Sequence, residues 1–313
     1  MSERDESTPL RCTRCRGSLV RDGGDLRCGS CGANWPIEHG IADFAEGAYY
    51  DQYEPGTELA PEHVAGLRLE LEGTRRRIES YYLPHLVAGE TTPLRVLDCG
   101  CGNGLSVDLF AAAGIEGWGN DVSALRKWQW RERAHRERLV VASALDLPFD
   151  DGWFDAVISS GVIEHIGVDE RMAERYEVRP RATRDEERTS FLRELLRVTR
   201  PGGQVWIDCP NGSFPIDFWH SGTAGGARFH SLSEGFLPSW REIRRLARAA
   251  GARGTITAES PRNRLAFEQV GRHWYGRLFR IPVEGLFAMM SARPFAFLRA
   301  TPLNPYLVVR IES

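Results

Sequence analysis

The segment from Val96 to Gly104, with the sequence VLDCGCGNG, constrains the fold of this chain more than any other. It begins with apolar residues that end at an acid, Asp98, and three glycines then alternate with other residues: Gly100, Gly102 and Gly104. Glycines allow a tight turn and let a ligand approach the main chain closely. The next residues, 105–113, are typical of a helix. The sequence therefore predicts a strand, a ligand-binding turn and a helix of an α/β sheet.

The spacing of these glycines argues against a dinucleotide site. Dinucleotide-binding turns carry the pattern G-x-G-x-x-G, whereas the pattern here is G-x-G-x-G. Asp98 also places a carboxylate directly ahead of the turn, where it would repel a diphosphate and attract a cation. We therefore expect a ligand that carries positive charge.

Segments that follow the turn predict further strands of the same sheet. A short strand at 117–121 ends at Asp121, which is placed to accept both hydroxyls of a ribose. The other expected elements are strands at 139–143, 154–160 and 204–209, with a helix at 189–198. This alternation of strands and helices indicates a doubly wound α/β domain.

Taken together, these segments resemble the ordered motifs of class I S-adenosylmethionine (SAM)-dependent methyltransferases, and the resemblance spans residues 95–211. It implies a Rossmann-like, seven-stranded methyltransferase sheet, completed by strands at 254–258 and 306–311. It also implies SAM as cofactor, bound by the residues that match the motifs: Asp98, Gly100, Gly102, Gly104, Asp121, Val122, Ser143, Ala144, Leu145 and Ser160.

One residue of the adenine-side loop departs from the family pattern. Many relatives carry Asp just before the Ala of this loop, and this chain has Ser143. A hydroxyl can donate to or accept from an adenine edge, so it can still contribute to binding. We expect the main chain of Ala144 and Leu145 to carry more of the contact.

Two pairs of cysteines near the start of the chain predict a metal site. They have the spacing C-x-x-C within each pair, at Cys12, Cys15, Cys28 and Cys31. Such pairs can place four thiolates around one zinc ion, which then has no open position for catalysis. The stretch from Leu10 to Phe44 also resembles the small Trm112-like zinc ribbon. We therefore expect structural Zn²⁺.

These observations divide the chain into three regions: a zinc ribbon at 1–47, a helical cap or linker at 48–92, and a methyltransferase domain at 93–313. Substrate-side insertions are expected at about 167–190 and about 211–240. Within the first, the charged segment 168–187 is expected to be an exposed helix. Within the second, a long loop runs through Gly222–Gly226 to His230. Since ligands bind at the carboxyl ends of parallel strands, this loop is expected to lie over the acceptor.

Three histidines are candidates for the general base: His165, His220 and His230. A hydroxyl acceptor needs proton removal, for which His is the usual group. His165 follows the fourth strand, and the other two lie on the long loop. A carboxylate acceptor would need no base. His165 is better interpreted as a structural or cofactor-side residue, so His220 and His230 are the preferred candidates for the base.

The sequence thus favours a SAM-dependent methyltransferase that acts on an oxygen of a small molecule, such as a specialised metabolite, a lipid-linked intermediate or a sugar. The net charge of −3 gives no overall attraction to nucleic acid. RNA-base methylation is the alternative, because some rRNA methyltransferases also join a zinc module to this core. A second alternative is a non-catalytic subunit that binds a protein partner through the ribbon. No apolar run is long enough to cross a membrane, and we expect a cytoplasmic protein; peripheral membrane contact by 281–298 stays an alternative to core packing.

Overall fold

The structure is a computed structural model that describes residues 8–51, 53–54, 57, 61–87, 94–172, 176–220, 227–231, 233–265 and 274–313. Parts of the expected linker and the expected Gly222–Gly226 stretch lie outside the described residues. The strands of the described part are β1 Leu19–Asp22, β2 Asp25–Cys28, β3 Asn34–Glu38, β4 Ile41–Asp43, β5 Arg95–Cys99, β6 Glu116–Asp121, β7 Leu139–Val141, β8 Phe154–Ser160, β9 Val168–Met172, β10 Tyr176–Pro180, β11 Thr199–Pro210, β12 Ile216–Asp217, β13 Arg228–Phe229, β14 Ile256–Glu259 and β15 Tyr306–Glu312.

Seven strands form the expected doubly wound sheet, in the order β7-β6-β5-β8-β11-β15-β14. The first five are parallel, and β15 runs antiparallel to both of its neighbours. The carboxyl ends of β5, β6 and β8 therefore meet at one edge, as a ligand site in an open α/β sheet requires. This confirms the predicted fold class. The largest differences from the expected strand bounds are in three strands: β7 ends two residues early, β11 extends from Thr199 to Pro210, and β14 begins two residues late, at Ile256.

The cysteine-rich ribbon continues this sheet. β3 and β4 pair in antiparallel fashion, and β4 pairs in parallel with β7, with Ala42 opposite Val140 and Asp43 opposite Val141. Trp35 of the ribbon belongs to the same buried apolar cluster as Phe149 of the large domain. The ribbon is therefore packed as an integral part of the molecule, with its strands added to one side of the methyltransferase sheet.

The helices of the described part are α1 Pro61–Arg76, α2 Leu83–Leu86, α3 Leu105–Ala112, α4 Ala124–Trp130, α5 Arg184–Val198, α6 Trp240–Ala249 and α7 Trp274–Ser291. A π-helix at Arg77–Tyr82 joins α1 to α2. This helical segment covers the glycine turn, since Asn103 donates to Glu70 Oε1 and to Thr74 Oγ1, both at 3.0 Å.

The expectation of a helix over 168–187 is wrong for most of that segment. Residues Val168–Met172 and Tyr176–Pro180 pair as an antiparallel hairpin, and α5 begins only at Arg184. The apolar residues on the hairpin pack against Phe236, which is fully buried. This remote contact selects the strand conformation, and proline cannot continue a helix.

The apolar segment near the carboxyl end forms α7 and a 3₁₀ helix at Arg293–Ala300. Phe287, Met290 and Leu298 pack into a small buried cluster, while Ile281 and Phe297 are 77% and 65% exposed. Among the described residues, no helix has both the length and the apolar character needed to span a bilayer.

Candidate functional site

The glycine turn after β5 adopts a conformation that side chains rarely allow. Gly100, Gly102 and Gly104 have φ values of +77°, +54° and +73°, in the left-handed region that glycine tolerates. The main-chain N–H groups of Gly100 and Cys101 both donate to the Asn120 carbonyl at 2.9 Å. A Cβ at Gly104 would lie 2.8 Å from atoms of Leu139 and Trp130. The turn therefore requires glycine for both conformation and space.

Asp98, at the end of β5, is fully buried and has one free oxygen. Its Oδ2 accepts from Arg77 Nη2 at 2.9 Å, while Oδ1 has no hydrogen-bond partner. Burial raises the pKa of Asp98, and the charge of Arg77 opposes that shift. A buried acceptor without a donor is costly, so this oxygen suits the ammonium group of SAM.

Asp121, at the end of the adjacent β6, is held by the main chain of the turn. Its two oxygens accept from Gly102 N at 3.1 Å and from Val122 N at 2.8 Å. Burial raises the pKa of Asp121, and Arg126 opposes this effect. Each carboxylate oxygen can accept more than one hydrogen bond, so the group can also receive ribose hydroxyls.

The adenine-side loop lies beside Asp121, because Ala142 N donates to the Asp121 carbonyl at 2.9 Å. Ser143 Oγ accepts from Leu145 N at 3.2 Å, so the hydroxyl orders the loop main chain. Ser160 points elsewhere, since its Oγ donates to Asp208 Oδ2 at 2.7 Å. The structure therefore brings together most of the expected cofactor residues, with Ser160 engaged by a second buried group.

That group is a buried ion-pair network that we call the Asp208 cluster. It contains Tyr82, Ser160, Asp208, Arg264 and Tyr306. Arg264 donates to both oxygens of Asp208, at 2.6 and 3.0 Å, and both tyrosine hydroxyls donate to the same carboxylate. Burial acts to raise the pKa of Asp208, but the charge and hydrogen bonds of Arg264 outweigh it and lower that pKa. Tyr82, which comes from the π-helix, is thus a core residue.

A second cluster, the Glu164 triad, consists of Glu164, His165 and His220. One ligand-type atom from each residue lies within 4.8 Å of those of the other two. Glu164 and His165 sit in the turn after β8, and His220 comes from the loop after β11. The rings of His165 and His220 are 5.2 Å apart, and Phe236 packs against both. The structure therefore unites two of the three histidine candidates.

The third candidate, His230, is held separately. Its Nε2 lies 2.6 Å from the Phe214 carbonyl, and its Nδ1 lies 3.3 Å from the Ser231 carbonyl. These contacts join two parts of the loop. His230 therefore stabilises the loop conformation.

The four ribbon cysteines also come together, with all four sulfur atoms within 4.8 Å of one another. Cys12 Sγ lies 3.7 Å from Cys31 Sγ, and Cys15 Sγ lies 3.4 Å from Cys28 Sγ. These separations fit four thiolates around one zinc ion, whose Zn–S bonds are about 2.3 Å. The set is a structural zinc site.

Several residues that this site uses are not identifiable as site residues from the local sequence pattern. Asp208 carried a detectable signal, since it is a lone acid within the apolar stretch 205–209. Arg77 and Arg264 carried none, because each lies in an arginine-rich segment and reaches its carboxylate only through the fold.

Comparison with known proteins agrees with this geometry. Residues 97–207 match the family described as methyltransferase domain, and this range includes the glycine turn, Asp121 and the Glu164–His165 pair. This chain carries a class I SAM-dependent methyltransferase domain. Its cofactor is SAM.

The relatives are diverse methyltransferases. One is an uncharacterized methyltransferase of Mycobacterium sp. (strain JLS), 33% identical over 149 residues, which are 45% of this chain and 50% of that protein. Another is the demethylmenaquinone methyltransferase of Clavibacter sepedonicus, 35% identical over 133 residues, or 42% and 44% of the two chains. The chain spans about half the length of these curated relatives.

Among solved structures, the chain resembles one from the complex of the Haloferax volcanii Trm112 methyltransferase activator, with a TM-score of 0.47 and 17% identity. That match covers 82% of this chain and 99% of the other. A TehB-like SAM-dependent methyltransferase from Corynebacterium glutamicum has a TM-score of 0.45 and 15% identity, over 80% and 97% of the two chains.

Proposed function

We propose that this protein transfers the methyl group of SAM to an oxygen of a small-molecule acceptor. The observation that supports it most is the free, buried Oδ1 of Asp98 beside the left-handed glycine turn. When bound, SAM supplies a methyl group on a sulfonium, which an acceptor oxygen attacks in line. The acceptor class proposed is a specialised metabolite, a lipid-linked intermediate or a sugar.

The residues of the turn bind and orient the cofactor in this proposal. Asp98 accepts from the ammonium, while Asp121 accepts from the ribose hydroxyls and stays fixed by Gly102 N and Val122 N. Arg77 compensates the charge of the buried Asp98 through its contact with Oδ2 and leaves Oδ1 free for the ammonium. Fixed carboxylates need no rearrangement when the ligand binds, which favours affinity.

On the acceptor side, the Glu164 triad is the group that acts on the acceptor oxygen. It lies at the same sheet edge as the cofactor turn, because a Cβ at Gly100 would overlap Val162, two residues before Glu164. Phe236 and Tyr176 pack against His220 at 4.7 and 5.6 Å and exclude water from that side. His165 and His220 are therefore preferred over His230.

No observation in the described residues favours RNA as the acceptor over a small molecule. The alternative of a partner bound through the ribbon is limited by the contacts of β4, which pairs within the chain with β7. We propose that the ribbon mainly stabilises its own methyltransferase domain.

The test is calorimetric titration of the zinc-containing protein with SAM and with S-adenosylhomocysteine. Asp98→Asn and Asp121→Asn should each weaken SAM binding about 10–100-fold, because hydrogen bonds to charged groups contribute roughly 1.5–3 kcal/mol. The matched control is Asp108→Asn, because Asp108 follows the same turn but binds His135 and Arg133. Absence of SAM binding by the folded wild-type protein would refute the proposal.

A second measurement identifies the acceptor class. Transfer of a labelled methyl group should occur to hydroxyl-bearing small molecules such as phenols and quinols. Transfer to RNA alone, with affinity that falls steeply as salt rises, would replace the small-molecule proposal with the RNA alternative.

A further inference from the structure

The Glu164 triad has the composition and arrangement of a metal site. Its ligand-type atoms, one carboxylate oxygen and one nitrogen from each of two histidines, lie within 4.8 Å of one another. Ligands at about 2.0–2.2 Å from one zinc ion lie roughly 3.4 Å apart. Small side-chain rotations would therefore bring the three atoms into a common coordination shell.

Both histidines are oriented by a carboxylate that contacts Nδ1 of the ring. His165 Nδ1 lies 2.6 Å from Glu170 Oε1, and His220 Nδ1 lies 3.1 Å from Asp217 Oδ2. A carboxylate on one ring nitrogen fixes the proton there and leaves the other nitrogen as a free acceptor. Metal-binding histidines commonly have this second contact, so Nε2 of each ring is prepared as a ligand.

The third member of the triad, Glu164, is a buried carboxylate that has no positively charged partner on one of its oxygens. Glu164 is 1% exposed, and its Oε2 has no hydrogen-bond partner. A buried carboxylate without sufficient donors is costly unless a cation compensates it. A metal ion bound between Glu164 and the two histidine rings would supply that charge.

We propose that Glu164, His165 and His220 bind a divalent transition-metal ion such as Zn²⁺ or Mn²⁺, separate from the zinc of the ribbon. The nitrogen and oxygen ligands distinguish it chemically from the four thiolates of Cys12, Cys15, Cys28 and Cys31. Three protein ligands leave at least one coordination position open. Glu170 and Asp217 orient the ligands without touching the ion.

The catalytic role of this ion rests on the proposed function, whereas its binding does not. The open position would accept the acceptor hydroxyl and lower its pKa, so that the proton leaves to solvent. The oxygen then forms a bond to the methyl carbon, and the carbon–sulfur bond breaks with its electron pair on sulfur. The products are the methylated acceptor and S-adenosylhomocysteine.

The first experiment measures bound zinc in the full chain by mass spectrometry after equilibration with excess Zn²⁺ and removal of free metal. The wild type should contain about two ions per chain, one in each site. Glu164→Gln and His220→Ala should each lose one of them. The control His135→Ala should keep both ions. His135 also has a contact between Nδ1 and a carboxylate, but it does not belong to the triad.

Circular dichroism and SAM affinity establish that each variant is folded. Asp217→Asn keeps all three ligands, so it should lower zinc affinity at the triad about 10–100-fold without abolishing binding. One ion per chain in the wild type, or two ions unaffected by both ligand substitutions, would overturn the proposal.

A separate measurement tests the catalytic role. Methyl transfer by protein lacking the second ion should rise at least tenfold when Mn²⁺ or Zn²⁺ is restored. Equal rates with and without that ion would refute the role while the metal content still supports the site. Absence of methyl transfer under all conditions would count against the proposed function and not against the metal site.

Discussion

Asp208 and Glu164 are two fully buried carboxylates at the same edge of the sheet, and the protein compensates them differently. Asp208 receives both hydrogen bonds of the Arg264 fork, together with those of two tyrosines and a serine. Glu164 faces two histidines, and one of its oxygens has no donor. The two acids are close in the fold, since Gly161 N donates to the Asp208 carbonyl at 2.9 Å.

The difference separates a structural ion pair from a ligand site. Every charge in the Asp208 cluster is matched by residues of the chain, so nothing further is needed to hold it. In the Glu164 triad, only the two histidine rings have such partners, because Glu170 and Asp217 fix their orientation. A buried carboxylate that lacks a hydrogen-bond donor, among buried polar groups that have their partners, indicates where a ligand binds.

The largest expected effect comes from breaking the completed pair. Asp208→Asn leaves Arg264 buried without a counter-charge, so the free energy of unfolding should fall by about 3–5 kcal/mol. Urea denaturation measures this change. Asp185→Asn is the control, because the Asp185 side chain is 43% exposed and both of its partners, Arg184 and Arg245, reach solvent; such surface pairs contribute about 0–1 kcal/mol. If both variants lost the same free energy of unfolding, the buried ion pair would be no more stabilising than the exposed one, which would contradict this prediction.

Gly100→Ala should have the next largest effect, because it disrupts the packing of the cofactor turn against the segment that carries Glu164 and His165. The added Cβ overlaps Val162 and sits at φ +77°. We expect about 1–2 kcal/mol from the left-handed conformation and about 1–3 kcal/mol from overpacking, with loss of SAM binding. Gly114→Ala has a similar φ of +74° but nothing within 4 Å of its Cβ. It should show only the conformational cost and unchanged SAM affinity.

Metal linkage should give a smaller, selective effect. Mn²⁺ is bound poorly by thiolates, so it reports on the triad more than on the ribbon. At 100 times its Kd, Mn²⁺ should stabilise the wild type by about 2.7 kcal/mol, as measured by thermal denaturation. Glu164→Gln should abolish this response, and His135→Ala should retain it. A response that survives in Glu164→Gln would place the ion elsewhere.

The smallest effect is expected at low pH. The folded-state pKa of Asp208 lies below its ordinary value, so its carboxylate stabilises the fold above the unfolded value of about 3.9. That contribution is lost as pH falls through the folded-state value. Stability measured from about pH 5 downward should therefore fall less steeply in Asp208→Asn than in the wild type. Parallel curves would show that the pKa of Asp208 does not differ between the folded and unfolded states.

How much of this site could be predicted from the sequence depended on how local its parts are. The glycine turn and the two cysteine pairs were predictable, because each is set by spacing over a few residues. Asp98 and Asp121 followed from their places at strand ends. The strands of the methyltransferase sheet were identified, although β11 begins five residues before its expected start at 204, since apolar runs mark buried parallel strands.

The parts that were not predicted depend on contacts between distant segments. The β9–β10 hairpin has many charged residues, and its strand form depends on packing against Phe236, more than fifty residues later. His220 was named as a candidate base, but its place beside Glu164 and His165 depends on how the loop after β11 folds back. Arg264 lies 56 residues beyond Asp208. No local pattern encodes these pairings.

The parallel pairing of β4 with β7 has a consequence for the molecule outside its chemistry. A strand at the edge of a sheet presents unpaired N–H and C=O groups that can template pairing with another chain. Here Ala42 and Asp43 occupy that position beside Val140 and Val141, and zinc holds the ribbon that carries them. β4 thereby covers a short, fully buried apolar strand, Leu139–Val141, that would otherwise form the edge of the methyltransferase sheet. The ribbon thus closes an edge at which another chain could pair.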